Sequence, residues 1–308
     1  MNSLVLASLS LPNLVSRLPG GVAQGIIWGI MALGVYITFR LLDVADLTVD
    51  GSFTTGGAVT VMLIIAGWPA WAALLAAVVA GLLAGLVTGL LHTKLGIPAI
   101  LAGILTQFAL YSINLRIMSM KANTPVNPDK YSLFLTLRSV PGAIWKGLLL
   151  AAVLIALLYW YFGTEQGSAI RATGANPAMS RAQGININAM KVLGLSLSNG
   201  MVALSGGLMA QYQGFADINM GRGAIVIGLA AVIIGEVAFG KLFGNFALKL
   251  LGVAIGAVIY YIVLQIVLQL GLNTNDLKLV SALIVAVFLA IPYWKGHIHT
   301  KKGGSVHA

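Results

Sequence analysis

The sequence has no cysteine and very little charge. None of its 308 residues is Cys, which excludes disulfide, thiol and cysteine–metal chemistry. Only 8% of the residues are charged, compared with about a quarter in a typical soluble chain, and 59% are hydrophobic. The mean hydropathy is +0.95. Because most of such a chain cannot face water, the composition predicts an integral membrane protein surrounded by lipid.

Motifs that would support catalysis are also missing. The sequence has no GxxxxGK[ST] phosphate loop, no G-x-S-x-G elbow and no HExxH motif, so we do not expect the chain itself to hydrolyse ATP. Three of the four His lie in the C-terminal tail, where His297 and His299 have no nearby acid. We interpret them as solvated side chains and not as metal ligands. The chain is therefore predicted to be no enzyme and to hold no cofactor or metal of its own.

The basic residues do not indicate a nucleic-acid partner. Lys and Arg number 18 against 8 Asp and Glu, a formal net charge of +10, but they are scattered between apolar runs. Scattered basic residues of this kind are typical of membrane anchoring and orientation, whereas nucleic-acid binding needs a clustered patch.

Apolar runs of near 20 residues recur along the whole chain, and one such run spans a bilayer as a helix. The runs do not alternate with polar residues as membrane β-strands do. We predict an all-α, polytopic transmembrane bundle of about nine spans in a single domain, residues 1–308. The predicted spans are 20–42, 53–67, 70–91, 97–119, 144–162, 192–212, 223–235, 246–270 and 277–294.

Two of these spans are too short to cross a bilayer in regular form, and each follows a polar, glycine-containing break. The break before 53–67 reads DLTVDGS from Asp46, and the break before 223–235 reads DINMGRG from Asp217. Short or interrupted segments at corresponding places in two halves indicate a transport pathway. If the loop 163–191 is cytoplasmic, the helices before the two breaks run in opposite directions. The halves, roughly 20–119 and 192–294, are then predicted to be inverted repeats.

Acidic and small residues beside the short spans are the candidates for lining a pathway, since a charge in hydrocarbon usually faces a cavity or a partner. For Asp50, which precedes Gly51 and Ser52, two interpretations remain open: it lines the pathway, or it caps the helix that begins there. Glu236 could bind a proton or a cation, or lie at an interface facing the cytoplasm. The candidate pathway residues are Asp46, Asp50, Ser52, Thr54, Ala224, Gly228 and Glu236.

The polar loop 163–191 is the candidate for contact with a soluble partner. Asn176 and Pro177 can start a short helix and Gly184 can end it, because Pro suits the first helical turn and Gly suits the position after the last. We predict this helix at 178–183, with basic residues at its edges; an ordinary connecting loop is the alternative. The candidate docking residues are Arg171, Asn176, Pro177, Ala178, Arg181 and Gly184.

Taken together, several stretches resemble permeases of the branched-chain amino acid and ribose ABC-importer superfamily. ATGANPAMSRAQGIN, within 170–191, resembles the cytoplasmic coupling segment, and LSLSNGMVALSGGLMAQYQ resembles the helix that follows. GAIVIGLAAVIIGEVAF resembles the AAVVIGG segment, with Glu236 where many relatives have a second Gly. DLTVDGSF and LLHTKLGIPAILAGILT are similar to a subgroup associated with tryptophan and tyrosine uptake.

The resemblance implies the permease subunit of an ATP-driven importer in the bacterial inner membrane, working by alternating access on an amino acid. It also implies three partners: a cytoplasmic ATP-binding subunit that holds ATP and Mg, an extracytoplasmic solute-binding protein, and a second copy of the permease. On this interpretation the outer surface would steer an acidic face of the binding protein, although its basic residues could instead only anchor helix ends near lipid headgroups. These basic residues are Lys121, Lys130, Arg138 and Lys146, with Arg222 and Lys278 nearer the later loops. The alternative function is an ion- or proton-coupled secondary transporter.

Overall fold

The computed structural model describes residues 11–240 and 244–269, together with 279, 281–283, 285–288 and 290. Helix dominates these residues, and each helix takes its number here in chain order. The helices are α1 (Leu11–Tyr36, continued by a π-helical turn, Ile37–Leu41), α2 (Val49–Ile65), α3 (Ala70–Thr93), α4 (Ala99–Ile117), α5 (Val140–Gly163), α6 (Glu165–Ala175), α7 (Pro177–Ala182), α8 (Ile187–Gln213), α9 (Ala224–Phe239) and α10 (Phe246–Gln269). Two three-residue strands, β1 (Asn123–Pro125) and β2 (Phe215–Asp217), form an antiparallel ribbon.

Six of the described helices are long and apolar enough to cross a membrane: α1 with its π-helical turn, α3, α4, α5, α8 and α10. The apolar helices α2 and α9 are shorter. The predicted polytopic helical bundle is thus confirmed, and eight of the nine predicted spans each fall on one of these helices. The ninth, 277–294, lies largely outside the described residues.

Helix α8 runs through the middle of the bundle, and small residues let its neighbours approach closely. Gly81, Gly85 and Gly89 of α3 face α8 so tightly that a Cβ on Gly85 would overlap the backbone oxygen of Leu195. Gly81 lies against Asn199 and Gly85 against Leu195, so α3 and α8 are antiparallel. Glycines at four-residue spacing thus form a closely packed helix face here.

Helix α1 is also antiparallel to α8, and serine hydroxyls join the two. The Ser198 hydroxyl donates to the Gly34 carbonyl at 2.7 Å, and the Ser205 hydroxyl donates to the Ile27 carbonyl at 2.7 Å. Both serines are fully buried. In a bundle whose surroundings are apolar, such interhelical hydrogen bonds help to fix which helices pack together.

The two ends of the bundle differ. Helix α8 is 27 residues long, about 40 Å at the usual helical rise, and it connects the short helix α7 to strand β2. The β1–β2 ribbon and the long loop before α5 therefore lie at one end, called here the ribbon end. Helices α6 and α7 lie at the opposite end, called here the α7 end. The ribbon was not predicted from the sequence.

Helix α5 presents a lipid-type surface along its length. Its exposed side chains include Leu149 and Leu157, with Trp145 near one end and Trp160 near the other, at 75% and 69% exposure. The two tryptophans are about 22 Å apart along the helix axis. Tryptophan is enriched where a membrane protein passes through the two interfaces of the bilayer, so this face of α5 has the composition of a surface that spans the apolar layer.

Candidate functional site

A buried polar network joins the break before α2 to the middle of α8. The Asp46 carboxylate, 2% exposed, accepts hydrogen bonds from the Thr48 backbone N–H at 2.9 Å and from Asn199 Nδ2 at 2.7 Å. The Ser52 hydroxyl donates to Asn199 Oδ1 at 2.6 Å. Two of the predicted pathway residues, Asp46 and Ser52, therefore lie inside the bundle and hold α2 against α8. Asn199 was not singled out, although its amide stands alone in the apolar stretch that follows SLS.

A row of threonine hydroxyls extends this network to two further helices. Thr48 and Thr88 hydroxyl oxygens are 2.8 Å apart, and the Thr88 hydroxyl donates to Thr106 Oγ1 at 2.9 Å. All three residues are buried. The start of α2 is thus hydrogen-bonded to α3, and through it to α4. This row could not be recognised from the sequence, since isolated threonines are ordinary in membrane helices.

Asp50 caps a helix, but not its own. Its carboxylate accepts hydrogen bonds from the backbone N–H groups of Gly223 and Ile225, both at 2.9 Å, at the start of α9. Thr54 Oγ1 accepts a further bond from the Gly221 N–H at 3.1 Å. The capping interpretation was right about the chemistry and wrong about the helix. The short helices α2 and α9 meet at their N-terminal ends, where a carboxylate is favoured by the free N–H groups and the helix dipole.

From this meeting point α9 runs along α1 towards the α7 end. The predicted pathway residues Ala224 and Gly228 are buried, and a Cβ on Gly228 would come within 2.7 Å of Val35 Cγ2. At the far end of α9, Glu236 forms a two-point ion pair with Arg40, with Arg40 Nε 2.6 Å from Glu236 Oε1. This pair ties the end of α9 to the end of α1. It gives Glu236 a structural partner, which explains a carboxylate here without a bound proton or cation.

A cavity of about 610 Å³ lies between the first turns of α2, one face of α4 and the loop 218–222. Its polar lining on α4 comes from Gln107, Tyr111 and Asn114, which follow each other at helical spacing and could have been recognised as a polar stripe in an apolar span. Among the predicted pathway residues, two line this cavity. The full lining is Asp50, Gly51, Thr54, Gln107, Phe108, Tyr111, Asn114, Ile218 and Arg222.

The short helix predicted at 178–183 is α7, displaced by one residue. Asn176 Oδ1 accepts from the Met179 backbone N–H at 3.0 Å and so caps the helix, Pro177 occupies its first turn, and Gly184 follows it with φ +79°. Each of these three residues has the local structural role that the sequence predicts. Their role in binding a partner stays a prediction.

Two features of this segment differ from expectation. The residues before α7 form a second helix, α6, and Arg171 on that helix is half-buried, with its guanidinium 5.6 Å from the centre of the Phe246 ring. It therefore packs on the bundle and does not flank α7 as Arg181 does. Met179 is 62% exposed on α7, so the surface of α7 offers an apolar side chain next to the exposed Arg181. This methionine was not among the residues predicted from the sequence.

The basic residues of the ribbon end are partly neutralised within the chain. Arg138 forms a two-point ion pair with Asp129, and the guanidinium lowers the pKa of that carboxyl below its usual value. Lys146 Nζ donates to the Phe134 carbonyl at 3.1 Å. Lys121 and Lys130 are both exposed and have no ion-pair partner among the described residues, so these two lysines carry more of the free positive charge at this end.

A bundle of apolar helices with two short helices meeting beside a polar cavity is the architecture of a membrane transport protein. The chain belongs to the family described as the permease component of the branched-chain amino acid transport system, whose model matches residues 18–292. It is therefore a multi-pass permease component of a transport system.

Two curated relatives are similar over most of their length. A Tyrosine transport system permease protein of Clostridioides difficile (strain R20291) is 41% identical over 269 residues, 87% of this chain and 89% of the relative. An uncharacterized protein, RP368, of Rickettsia prowazekii (strain Madrid E) is 36% identical over 271 residues, 87% of this chain and 94% of the relative. No solved structure matches the chain.

Proposed function

We propose that this chain is the membrane-spanning subunit of an ATP-driven importer in the bacterial inner membrane, and that its substrate is an aromatic amino acid such as tyrosine. The family and the name of the Clostridioides difficile relative support an amino acid as the substrate. The observation that supports coupling to an ATP-binding subunit is helix α7, a capped short helix with an exposed apolar and an exposed basic side chain. In this proposal the α7 end is cytoplasmic.

The contacts of α7 and α6 with the bundle allow a movement of α7 to be passed to other helices. Ser180, 3% exposed, fixes the buried side of the helix through a hydrogen bond from its hydroxyl to the Asn176 carbonyl at 2.9 Å. The preceding helix α6 lies on the end of α1, since a Cβ on Gly174 would overlap the Leu41 backbone oxygen. A force on α7 would therefore reach the π-helical turn of α1 and, through Arg40, the end of α9.

The cavity argues for a second copy of the permease. It has an anionic and a cationic side chain, Asp50 and Arg222, on a side of α4 that the described chain leaves partly open. Charged groups facing lipid are costly, whereas charged groups facing a protein partner or water are tolerated. We infer that two permease copies meet across this face and that the short helices line a pathway between them, opened alternately to the two sides.

The proposed importer has two further components, an ATP-binding subunit and a solute-binding protein. Its sequence has no phosphate loop, so ATP and Mg belong to a cytoplasmic ATP-binding subunit docked at α7. The exposed basic residues of the ribbon end, above all the unpaired Lys121 and Lys130, face an extracytoplasmic solute-binding protein.

The test is a charge reversal on α7. Arg181 is exposed, so Arg181→Glu should leave the thermal midpoint of the purified permease unchanged. It should lower both uptake and binding-protein-stimulated ATP hydrolysis by about tenfold or more, because a like-charge or unpaired contact at an interface costs several kcal/mol. Arg181→Lys keeps the charge and is the matched control.

Normal stimulation of ATP hydrolysis in the Arg181→Glu complex would contradict docking at α7. Uptake by this chain alone, driven by a proton gradient, would support the secondary transporter instead. That alternative would need Asp46 or Glu236 to release its present hydrogen-bond partner when the ion binds.

A further inference from the structure

We propose that the cavity between α2, α4 and the loop 218–222 is a binding site for one zwitterionic aromatic amino acid, held with its charged head at Asp50 and Arg222 and its side chain pointing along α4 towards Asn114. The substrate class rests on the proposed function above. The orientation of the substrate and the residues that recognise it are inferred from the residues that line the cavity.

The charged head of the site is defined by two opposite charges that do not pair. Asp50 and Arg222 line the same cavity, yet within the described part of the chain no oxygen and nitrogen of this pair lie within 4.0 Å. Asp50 is fixed by the N–H groups of α9, while the Arg222 side chain has no hydrogen-bond partner among the described residues. A fixed anion and a free cation at one end of a cavity complement an ammonium and a carboxylate on neighbouring atoms.

The middle of the cavity is aromatic. Phe108 and Tyr111 are three residues apart on α4, so both lie on the helix face that lines the cavity. They are 72% and 42% exposed, although they lie in an apolar span and beside a polar cavity. Exposed rings at this place can pack against the ring of a bound substrate in offset or edge-to-face geometry.

The far end of the cavity is lined by a polar side chain that lacks hydrogen-bond partners. Asn114 lines the cavity and is 1% exposed, and both Nδ2 and Oδ1 lack a hydrogen-bond partner among the described residues. Buried amides are normally hydrogen-bonded, so both functions of this amide are free to bond a ligand in the cavity. A phenol hydroxyl both donates and accepts, which matches the two free functions of the amide once this side chain turns towards it.

The dimensions agree with this orientation. Gln107, at the level of Gly51, and Asn114 are seven residues apart on α4, which is about 10 Å along the helix axis. That is about the length of an extended tyrosine from its carboxylate to its hydroxyl. Phenylalanine would fill the same aromatic region but leave the Asn114 amide unpaired, and a site that hydrogen-bonds a hydroxyl discriminates against the analogue lacking it.

The experiment measures binding to the full-length permease in nanodiscs without the solute-binding protein, so that selection by that protein does not enter. The probes are tyrosine, phenylalanine, and tyramine, which lacks the carboxylate. The unmodified permease should bind tyrosine at least about tenfold more tightly than phenylalanine or tyramine, as expected for one lost polar contact.

Two variants assign the contacts. Asn114→Leu should lower the affinity for tyrosine to that for phenylalanine. Arg222→Gln should weaken the binding of both amino acids about tenfold while leaving the binding of tyramine unchanged. Arg116→Gln, an exposed arginine of α4 that does not line the cavity, is the matched control. Because Arg222 is exposed, its variant keeps the test valid if Asn114→Leu fails to fold.

An unchanged preference for tyrosine in Asn114→Leu, or equal binding of tyramine and tyrosine by the unmodified permease, would overturn the proposed orientation. Tyrosine uptake by the assembled transporter without tyrosine binding at this cavity would overturn the site and leave the proposed function standing. Absence of tyrosine uptake by the assembled transporter would overturn both.

Discussion

Replacing Asn199 with leucine should cost the permease more stability than any single neutral hydrogen bond in the bundle. Asn199 is fully buried and bonds both Asp46 and Ser52, so its amide joins the start of α2 to α8. Leucine has the same branched skeleton and the same number of side-chain heavy atoms, although it is larger, and it removes both of these bonds. It also removes the bond that Asn199 Nδ2 donates to the Leu195 carbonyl within α8. Asp46 is then left with the Thr48 N–H, and the Ser52 hydroxyl loses its acceptor.

The magnitude follows from the two bonds. A hydrogen bond to a charged group contributes about 1.5–3 kcal/mol. A neutral interhelical bond in a membrane protein contributes about 0.6 kcal/mol on average and up to about 1.7 kcal/mol. Asn199→Leu should therefore lower the free energy of unfolding by about 2–5 kcal/mol, the sum of these two ranges.

The assay is unfolding of the purified permease in mixed micelles, followed by the loss of helix signal as the denaturing detergent is increased. Ser196→Ala is the matched control, because Ser196 lies on the same helix and donates one neutral bond to the Leu82 carbonyl at 2.7 Å. It should cost about 0.6–1.7 kcal/mol. Asn199→Asp should be worse than leucine, since it sets a second carboxylate beside Asp46.

The reciprocal exchange tests the electrostatic part of this reasoning. Asp46→Asn combined with Asn199→Asp restores one amide and one carboxylate at the contact, and the double variant should be more stable than Asn199→Asp alone. If Asn199→Leu costs no more than Ser196→Ala, or if the exchange gives no recovery, then the network does not hold α2 in place and the reasoning is refuted.

Two further predictions concern packing and the ribbon end. Gly85→Leu should prevent the close contact of α3 with α8 and lower the thermal midpoint sharply, whereas Gly163→Ala, where a Cβ would meet nothing within 4 Å, should be tolerated; equal midpoints for the two variants would contradict the packing argument. Lys130→Glu should slow association of the binding protein in nanodiscs and flatten its salt dependence, because steering acts over a screening length of about 8–10 Å. Arg138→Glu should slow association less than Lys130→Glu does, since the charge of Arg138 is already paired with Asp129. An on-rate that stays the same from low to high salt in the unmodified permease would support simple anchoring instead.

The fold was largely predictable because its signals are local. Apolar length identifies the spans, and the glycine spacing of α3 identifies a packed face. The cap of α7 was predictable for the same reason, since Asn176, Pro177 and Gly184 act within one short helix. Helix α6 was not predicted because its residues are polar and its packing partners, such as Phe246, lie far away in the sequence.

Asp50 shows where local reasoning ends. Asp50 followed by Gly51 and Ser52 has the composition of a helix start, and this pattern correctly identifies a carboxylate that accepts N–H bonds. The donors, however, belong to α9 and lie 173 and 175 residues further along the chain. No local pattern can supply that partner, because the contact exists only once α2 and α9 meet.

The same residue also shows why the two interpretations left open by the sequence are not alternatives. The N–H groups of α9 fix the position of the Asp50 carboxylate, and the residue lines the cavity at the same time. A carboxylate among apolar helices is costly unless it is paired, and here the start of α9 pairs it. The Asp50 carboxylate therefore has partners of its own, and it stays separate from Arg222, with which it forms no ion pair. In our proposal that separation is the feature of the cavity that a zwitterionic amino acid recognises.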